Sequence, residues 1–349
     1  MIDKLPIEII GGGLAGLSLG LALRRSGVAV SIFEAGRFPR HRVCGEFIAG
    51  LDTDTVERLG IAPFLEGALS HAEVAWFLDR RAPEVRRLPA PARSISRFAL
   101  DARLAEAFVA AGGSLHENTR ITDPAPRPGR VFATGRVAGR SPWVGLKLHV
   151  RGLQLERGLE MHLGSDAYVG LARVADDTVN VCGLFRRRKA GAAARGAEGH
   201  PGRAEVLLEH LESSGLARLA QRLREGDIEE GSFCAVAGLF FGARPRNDGR
   251  AVIGDAFSMI PPFTGNGMSM AFQSAAEALE PLIGYAERRT SWDEARCATN
   301  AALRGRFRLR LLSANAVHAF LLREQRQRWL GRLSRAGLLP FRPLYAMMH

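Results

Sequence analysis

Residues 11–16 read Gly-Gly-Gly-Leu-Ala-Gly, with the apolar run Ile7 to Ile10 before them, a helical pattern from Leu17 to Ser26 after them, and then a second apolar run, Val28 to Phe33. No other feature restricts the fold as much, because glycines at this spacing between a strand and a helix fit a β-α-β unit. Gly11 permits the tight turn, Gly13 brings the backbone close to a pyrophosphate, and Gly16 lets helix and strand pack closely. Leu14 and Ala15 open the helix, whose free N–H groups and positive dipole end suit phosphates. Glu34 closes the second run, with Ala35 after it, roughly 20 residues beyond the glycines, where a carboxylate meets a ribose hydroxyl. The segment predicts a dinucleotide site, and a chance glycine-rich turn is the competing reading.

That fingerprint serves both nicotinamide and flavin dinucleotides, so a later segment decides. Gly249 to Ala256 reads as a short strand ending in Gly254-Asp255, and Pro261-Pro262-Phe263-Thr264-Gly265-Asn266-Gly267-Met268 opens a helix through Ser269 to Leu279. The Asp255 carboxylate suits ribityl hydroxyls. Free amides from Gly265 through Asn266 and Gly267 to Met268 would face the flavin pyrimidine edge, where reduction places negative charge. The alternative is an ordinary β-α turn with Asp255 as its cap.

Together these segments resemble the FAD-dependent monooxygenase and reductase group that includes p-hydroxybenzoate hydroxylase and geranylgeranyl reductase, over most of the chain. The resemblance implies non-covalent FAD. NAD(P)H would act as a transient donor, since no second fingerprint sits between a strand and a helix. It places Arg97, at the head of Arg97 to Leu104, near the flavin phosphates or ring. Arg42-Val43-Cys44-Gly45 resembles the segment preceding the flavin in the reductase branch, where the cysteine lies near the isoalloxazine. A catalytic Cys44 would need a lowered thiol pKa. Thr134-Gly135 stands where the group usually has Asp-Gly, and Tyr168-Val169-Gly170-Leu171 keeps only the tyrosine of the reductase signature. Isolated tryptophans and scarce lysines depart from the halogenase pattern.

The implied activity is hydroxylation of a lipophilic aromatic or polyketide-like small molecule, with oxygen delivered from a flavin C4a-hydroperoxide. Two alternatives stand beside it: reduction of carbon-carbon double bonds, and a non-enzymatic carrier of the GDP-dissociation-inhibitor type. The expected fold is α/β, an FAD-binding Rossmann-like three-layer domain (1–67, 97–140 and 241–300) with an inserted, mainly antiparallel β substrate domain (68–96 and 141–240). A C-terminal helical region covers 301–349.

In the inserted part Val144, Leu146, Leu148 and Val150 alternate with Lys147 and His149, the period of a sheet with one buried face. Lys147, His149 and His162 are expected on a shared polar face, solvated or turned toward substrate. The substrate is expected in an apolar pocket bounded by Pro261, Pro262 and Phe263. Arg186 to Arg203 reads as a mobile loop, followed by an amphipathic helix from Ala204 to Leu211.

The 349 residues are 46% hydrophobic, which excludes a disordered chain. Net charge is +12, yet only Lys4, Lys147 and Lys189 of 48 basic residues are lysines. An excess of arginine with abundant alanine and glycine reads as GC-rich coding rather than a nucleic-acid footprint. Cys44, Cys182, Cys234 and Cys297 lie far apart and form no metal-ligand spacing, as in a reduced cytoplasm. Met1 to Ile9 does not resemble a signal peptide, and no run is long enough to span a membrane. From Arg304 to Arg335 a helical pattern carries nine arginines and one acid, Glu324. It is expected to pack on the substrate domain, with peripheral contact at the inner face of a membrane as the alternative.

Overall fold

The computed structural model describes residues 4–77, 82–123, 125–136, 139–187, 202–243 and 249–349. The glycine segment opens a β-α-β unit of β1 (Ile7–Ile10), α1 (Leu14–Arg25) and β2 (Val30–Phe33). The two strands run parallel, Ile7 beside Val30 and Ile10 beside Phe33. With β6 (Ser114–His116), β7 (Arg130–Phe132) and β14 (Ala251–Val252) they form a five-stranded sheet in the order β14-β7-β1-β2-β6, parallel throughout.

Every residue of α1 from Leu14 to Leu23 is buried, the mark of an interior helix rather than a surface one. It packs against α3 (Arg97–Ala110) and α6 (Gly267–Ala286). Gly11 sits at φ +115°, and a Cβ there would lie 2.3 Å from the Ala133 carbonyl oxygen. A Cβ on Gly16 would lie 2.0 Å from the carbonyl oxygen of Gly11. Both positions require glycine, one for its backbone conformation and one for close helix–strand approach.

The second sheet has eight strands in the order β12-β8-β11-β10-β9-β4-β5-β3. They are β3 (Phe47–Ile48), β4 (Leu69–Phe77), β5 (Glu84–Ser94), β8 (Trp143–Arg151), β9 (Leu159–Gly164), β10 (Ala167–Arg173), β11 (Thr178–Arg186) and β12 (Asp227–Ala237). Only β4 and β9 pair parallel. The sheet also recruits Phe47 and Ile48 from residues read in the sequence as part of the dinucleotide domain.

Alternation predicts one buried face, but β8 is covered on both. Leu146, Leu148 and Val150 pack under α4 (Arg203–Ser213) and α5 (Ala217–Arg224), while Lys147 and His149 face the segment carrying His41 and Glu46. The run read as a mobile loop, Arg186 to Arg203, falls largely on residues 188–201, outside the described residues. α2 (Thr53–Leu59) packs on α6, and β13 (Gly242–Ala243) pairs with β15 (Ser258–Met259).

The C-terminal pattern is longer than the sequence predicts and is divided into α7 (Trp292–Leu321), α8 (Glu324–Arg335) and α9 (Phe341–Met348). Ser291 and Glu294 form a capping box that starts α7 well before Arg304. Leu303, Phe307, Leu311 and Ala314 of α7 join the core around the parallel sheet, and Leu321 packs beneath the second sheet. Among the described residues no helix is long and apolar enough to cross a membrane.

Candidate functional site

The N-termini of α1 and α6 open onto one cavity of about 970 Å³ between the two sheets, at the upper end of the roughly 300–1,000 Å³ range of small-molecule sites. Gly11, Gly13, Leu14, Ala15, Glu34, Ala35, Arg42, Cys44, Gly45, Arg97, Asp255, Pro262, Phe263, Gly265, Gly267 and Met268 all line it. The parallel strands end there, the usual ligand position in an open α/β sheet. Gly16 lies outside the lining, as its packing role requires.

The cradle fits a flavin dinucleotide on three observations. Neither helix start is capped by a side chain, so the first N–H groups of each remain available. A Cβ built on Gly13 or Gly267 meets no atom within 4 Å, leaving open space where phosphate or ring would approach. The Asp255 side chain is open to the cavity and accepts no hydrogen bond among the described residues. Deep placement pushes its pKa from 3.8 up to about 6, against the opposing pull of Arg97 and Arg42.

Glu34 stands just beyond β2 and is buried. Its carboxylate accepts from the N–H groups of Gly12 (2.8 Å) and Gly36 (2.9 Å) and from Arg40 (2.6 Å). Burial opposes the charge, but Arg42, the Gly36 N–H, Arg40 and the Gly12 N–H outweigh it and hold the pKa below its usual value. The carboxylate expected to meet a ribose therefore also locks the glycine loop. Asp101, missed in the sequence, organises the arginines. It takes both guanidinium arms of Arg97 at 2.7 and 2.8 Å and Nε of Arg42 at 3.0 Å. Its position four residues after Arg97 on a helix was the available signal.

Several expected site residues stand elsewhere. Cys44 lines the cavity as expected, and burial raises its thiol pKa against the opposing pull of Arg97. Lys147, His149, His162, Pro261 and Asn266 do not line the cavity. Strand register separates the three basic residues. Lys147 lies opposite Cys182, which faces the cavity, whereas His162 lies opposite Val169, which packs under α4 and α5.

His162 is bonded to Glu160 at 2.9 Å and stacked on Phe77. Lys147 is fully buried, with Nζ 3.1 Å from His41 and 3.7 Å from Glu46. His149 bonds to the other Glu46 oxygen at 2.7 Å. Burial, Lys147 and His149 together push the pKa of His41 down to about 4. Lys147 and His149 are buried outside the cavity lining, and only His41 of this cluster reaches it. They tie the Cys44-Gly45 segment to the second sheet. Asn266 is turned away from the cavity, with its side-chain amide donating to the Met348 carbonyl.

Beyond the cradle the cavity becomes an apolar chamber walled by Met161, Leu163, Tyr168, Leu184, Leu239 and Phe263. Its outer wall, unforeseen in the sequence, includes Leu330 of α8 and Phe341, Leu344 and Tyr345 of α9. The His349 ring is 3.1 Å from the Thr264 carbonyl, holding the end of α9 against the α6 approach.

A family model described as an NAD(P)-binding Rossmann-like domain matches residues 9–44. Conditioned medium factor receptor 1 of Dictyostelium discoideum is 28% identical over 129 residues, 33% of this chain and 25% of that protein. Menaquinone reductase of Mycolicibacterium smegmatis is 24% identical over 134 residues, 35% of this chain and 31% of that protein. The chain's matches thus span about a quarter to a third of the length of these curated relatives. Among solved structures, PqsL of P. aeruginosa in complex with 2-aminobenzoylacetate aligns with a TM-score of 0.71 at 17% identity, over 93% of this chain and 98% of that one. The flavin-dependent brominase Bmp2 gives 0.71 at 17% identity, over 98% and 92%. A geranylgeranyl bacteriochlorophyll reductase-like protein from Thermoplasma acidophilum gives 0.70 at 14%, over 93% and 90%. At these identities the likeness is one of fold, and the chain has the fold shared by these flavin-dependent monooxygenase, halogenase and reductase-like proteins.

Proposed function

We propose that this protein is an FAD-dependent oxidoreductase, and within that class a monooxygenase that hydroxylates a lipophilic aromatic or polyketide-like small molecule. The observation that carries the reading is the single cavity joining two uncapped helix N-termini and the Asp255 carboxylate to an apolar chamber. FAD, when bound, would supply the redox chemistry.

The chain's own residues bind, orient and exclude water. Gly13 and the α1 N-terminus would receive the pyrophosphate, Asp255 the ribityl hydroxyls, and the N–H groups of Gly267 and Met268 the electron-rich ring edge. Arg97, anchored by Asp101, places a fixed positive charge at the cavity wall. Tyr168, Phe263 and Leu239 form a wall suited to a greasy ring. NAD(P)H is proposed as a transient donor. PqsL, a probable FAD-dependent monooxygenase, supports oxygenation by analogy of fold.

Reduction of a carbon-carbon double bond is the second reading, favoured by the Arg42 to Gly45 segment at the cavity wall and by the reductase-like neighbour. Turnover of candidate aromatic and polyunsaturated substrates with and without O₂ separates the two. Oxygenation predicts product only in air, with one oxygen atom incorporated from ¹⁸O₂. Product formed anaerobically with two added hydrogens would replace it by the reductase.

A further inference from the structure

α8 divides its apolar residues between two faces, with Leu330 packed inward and Trp329 turned out. Its inward side carries Gln327, Gly331 and Ser334, and Gln327 is buried to donate to the carbonyls of Gly164 (2.9 Å) and Leu321 (2.7 Å). Its largest apolar side chain, Trp329, points outward at 61% exposure, and Leu338 just past the helix is 69% exposed. Around Trp329 stand Arg326, Arg328 and Arg332, which share a shallow surface groove with it, and Arg335 is exposed one turn on. A helix folding only for its own protein would turn the tryptophan in and the glutamine out.

We propose that this outer face of α8, with the turn to Leu338, docks on an anionic membrane surface. Tryptophan settles at the headgroup level of a bilayer, and arginine stems cover apolar surface while their guanidinium groups reach lipid phosphates. Charge selects this occupant over a second copy of the chain. On α8 itself Arg326, Arg328, Arg332 and Arg335 stand against the single acid Glu324, a charge that would repel its own image but is drawn to anionic lipid. The inward side of the same helix supplies Leu330 and Ser334 to the cavity lining. Docking therefore sets one wall of the apolar chamber at the bilayer, where a lipophilic ligand is most concentrated.

The test is flotation of the full chain with vesicles of phosphatidylcholine alone and of phosphatidylcholine mixed with phosphatidylglycerol. Flotation is expected only with the anionic vesicles and is expected to fade at high salt. Arg332→Glu and Trp329→Ser should each reduce the bound fraction's partition coefficient by about tenfold, with melting temperature unchanged. Arg326→Glu provides a second charge reversal should either variant fold poorly. Absence of flotation, equal flotation on neutral vesicles, or no effect of Trp329→Ser overturns the proposal. A dimer in light scattering that Trp329→Ser dissolves would assign the face to a second copy instead.

Discussion

Replacing Gly13 with alanine separates ligand binding from the structural roles of the glycine loop. Gly13 sits at φ −87° and ψ −175°, extended backbone open to any residue, and a Cβ there meets nothing within 4 Å. The folding cost is that of alanine at a helix N-cap, about 0.5–1 kcal/mol, offset by a similar reduction of unfolded-chain entropy. The melting temperature should therefore move by no more than about 2–4 °C. The ligand suffers differently. A methyl group in the open space forces the pyrophosphate off the α1 amides, and losing two charge-assisted hydrogen bonds at about 1.5–3 kcal/mol each weakens FAD by at least about a hundredfold. Gly16→Ala is the counterpart. Its Cβ would stand 2.0 Å from the Gly11 carbonyl oxygen, so the fold should lose several kcal/mol, roughly 3 or more, although alanine is the better helix former. Flavin fluorescence titration gives the affinity and thermal melting the stability. A Gly13→Ala protein that binds FAD as tightly as wild type would refute the assignment of the cradle.

Asp255→Asn should lose affinity for FAD yet stabilise the ligand-free protein above pH 6. A carboxyl whose folded pKa is raised from 3.8 to about 6 costs stability progressively as pH rises through that window. Water in the cavity limits the gain to at most about 1 kcal/mol, measurable as a flatter dependence of melting temperature on pH. Cys44→Ser should retain FAD and turnover within a few-fold, and Cys44 should alkylate more slowly than a free thiol at pH 8, because burial raises its pKa; rapid alkylation would mark it as an activated nucleophile. Glu46→Gln strands the buried Lys147 and should cost about 3–5 kcal/mol in urea unfolding. Adding Lys147→Met should cost less than the sum of the single changes, and strict additivity would show that the pair is not coupled.

The dinucleotide unit was legible because its signals are local. Ile7 to Ile10, the glycines and Glu34 lie within one β-α-β unit, where each glycine answers a backbone requirement that sequence spacing alone expresses. Asp255 and the Gly265 to Met268 turn were legible for the same reason, as strand–turn–helix chemistry. Partners contributed from a distance were not. Period two separates Lys147 from Leu146 and Leu148, but whether its face meets water depends on His41 and Glu46, about a hundred residues away in the chain. His162 fell on the opposite face because β-strand side is fixed by pairing register, and Val169 opposite it packs under α4 and α5. The C-terminal pattern showed helix and charge but not that α8 and α9 wall the chamber, since Leu330 and Phe341 acquire that role only through packing against the second sheet.

The central claim, that the cradle holds FAD, is tested most directly by the flavin content of the purified protein. The protein should carry a flavin absorbance band, and heat or acid denaturation should release FAD, identified by mass, approaching one per chain. A protein that is colourless as isolated should take up FAD on titration to the same ratio. Colourless protein that takes up none would contradict the account and favour a carrier that uses the same fold without flavin.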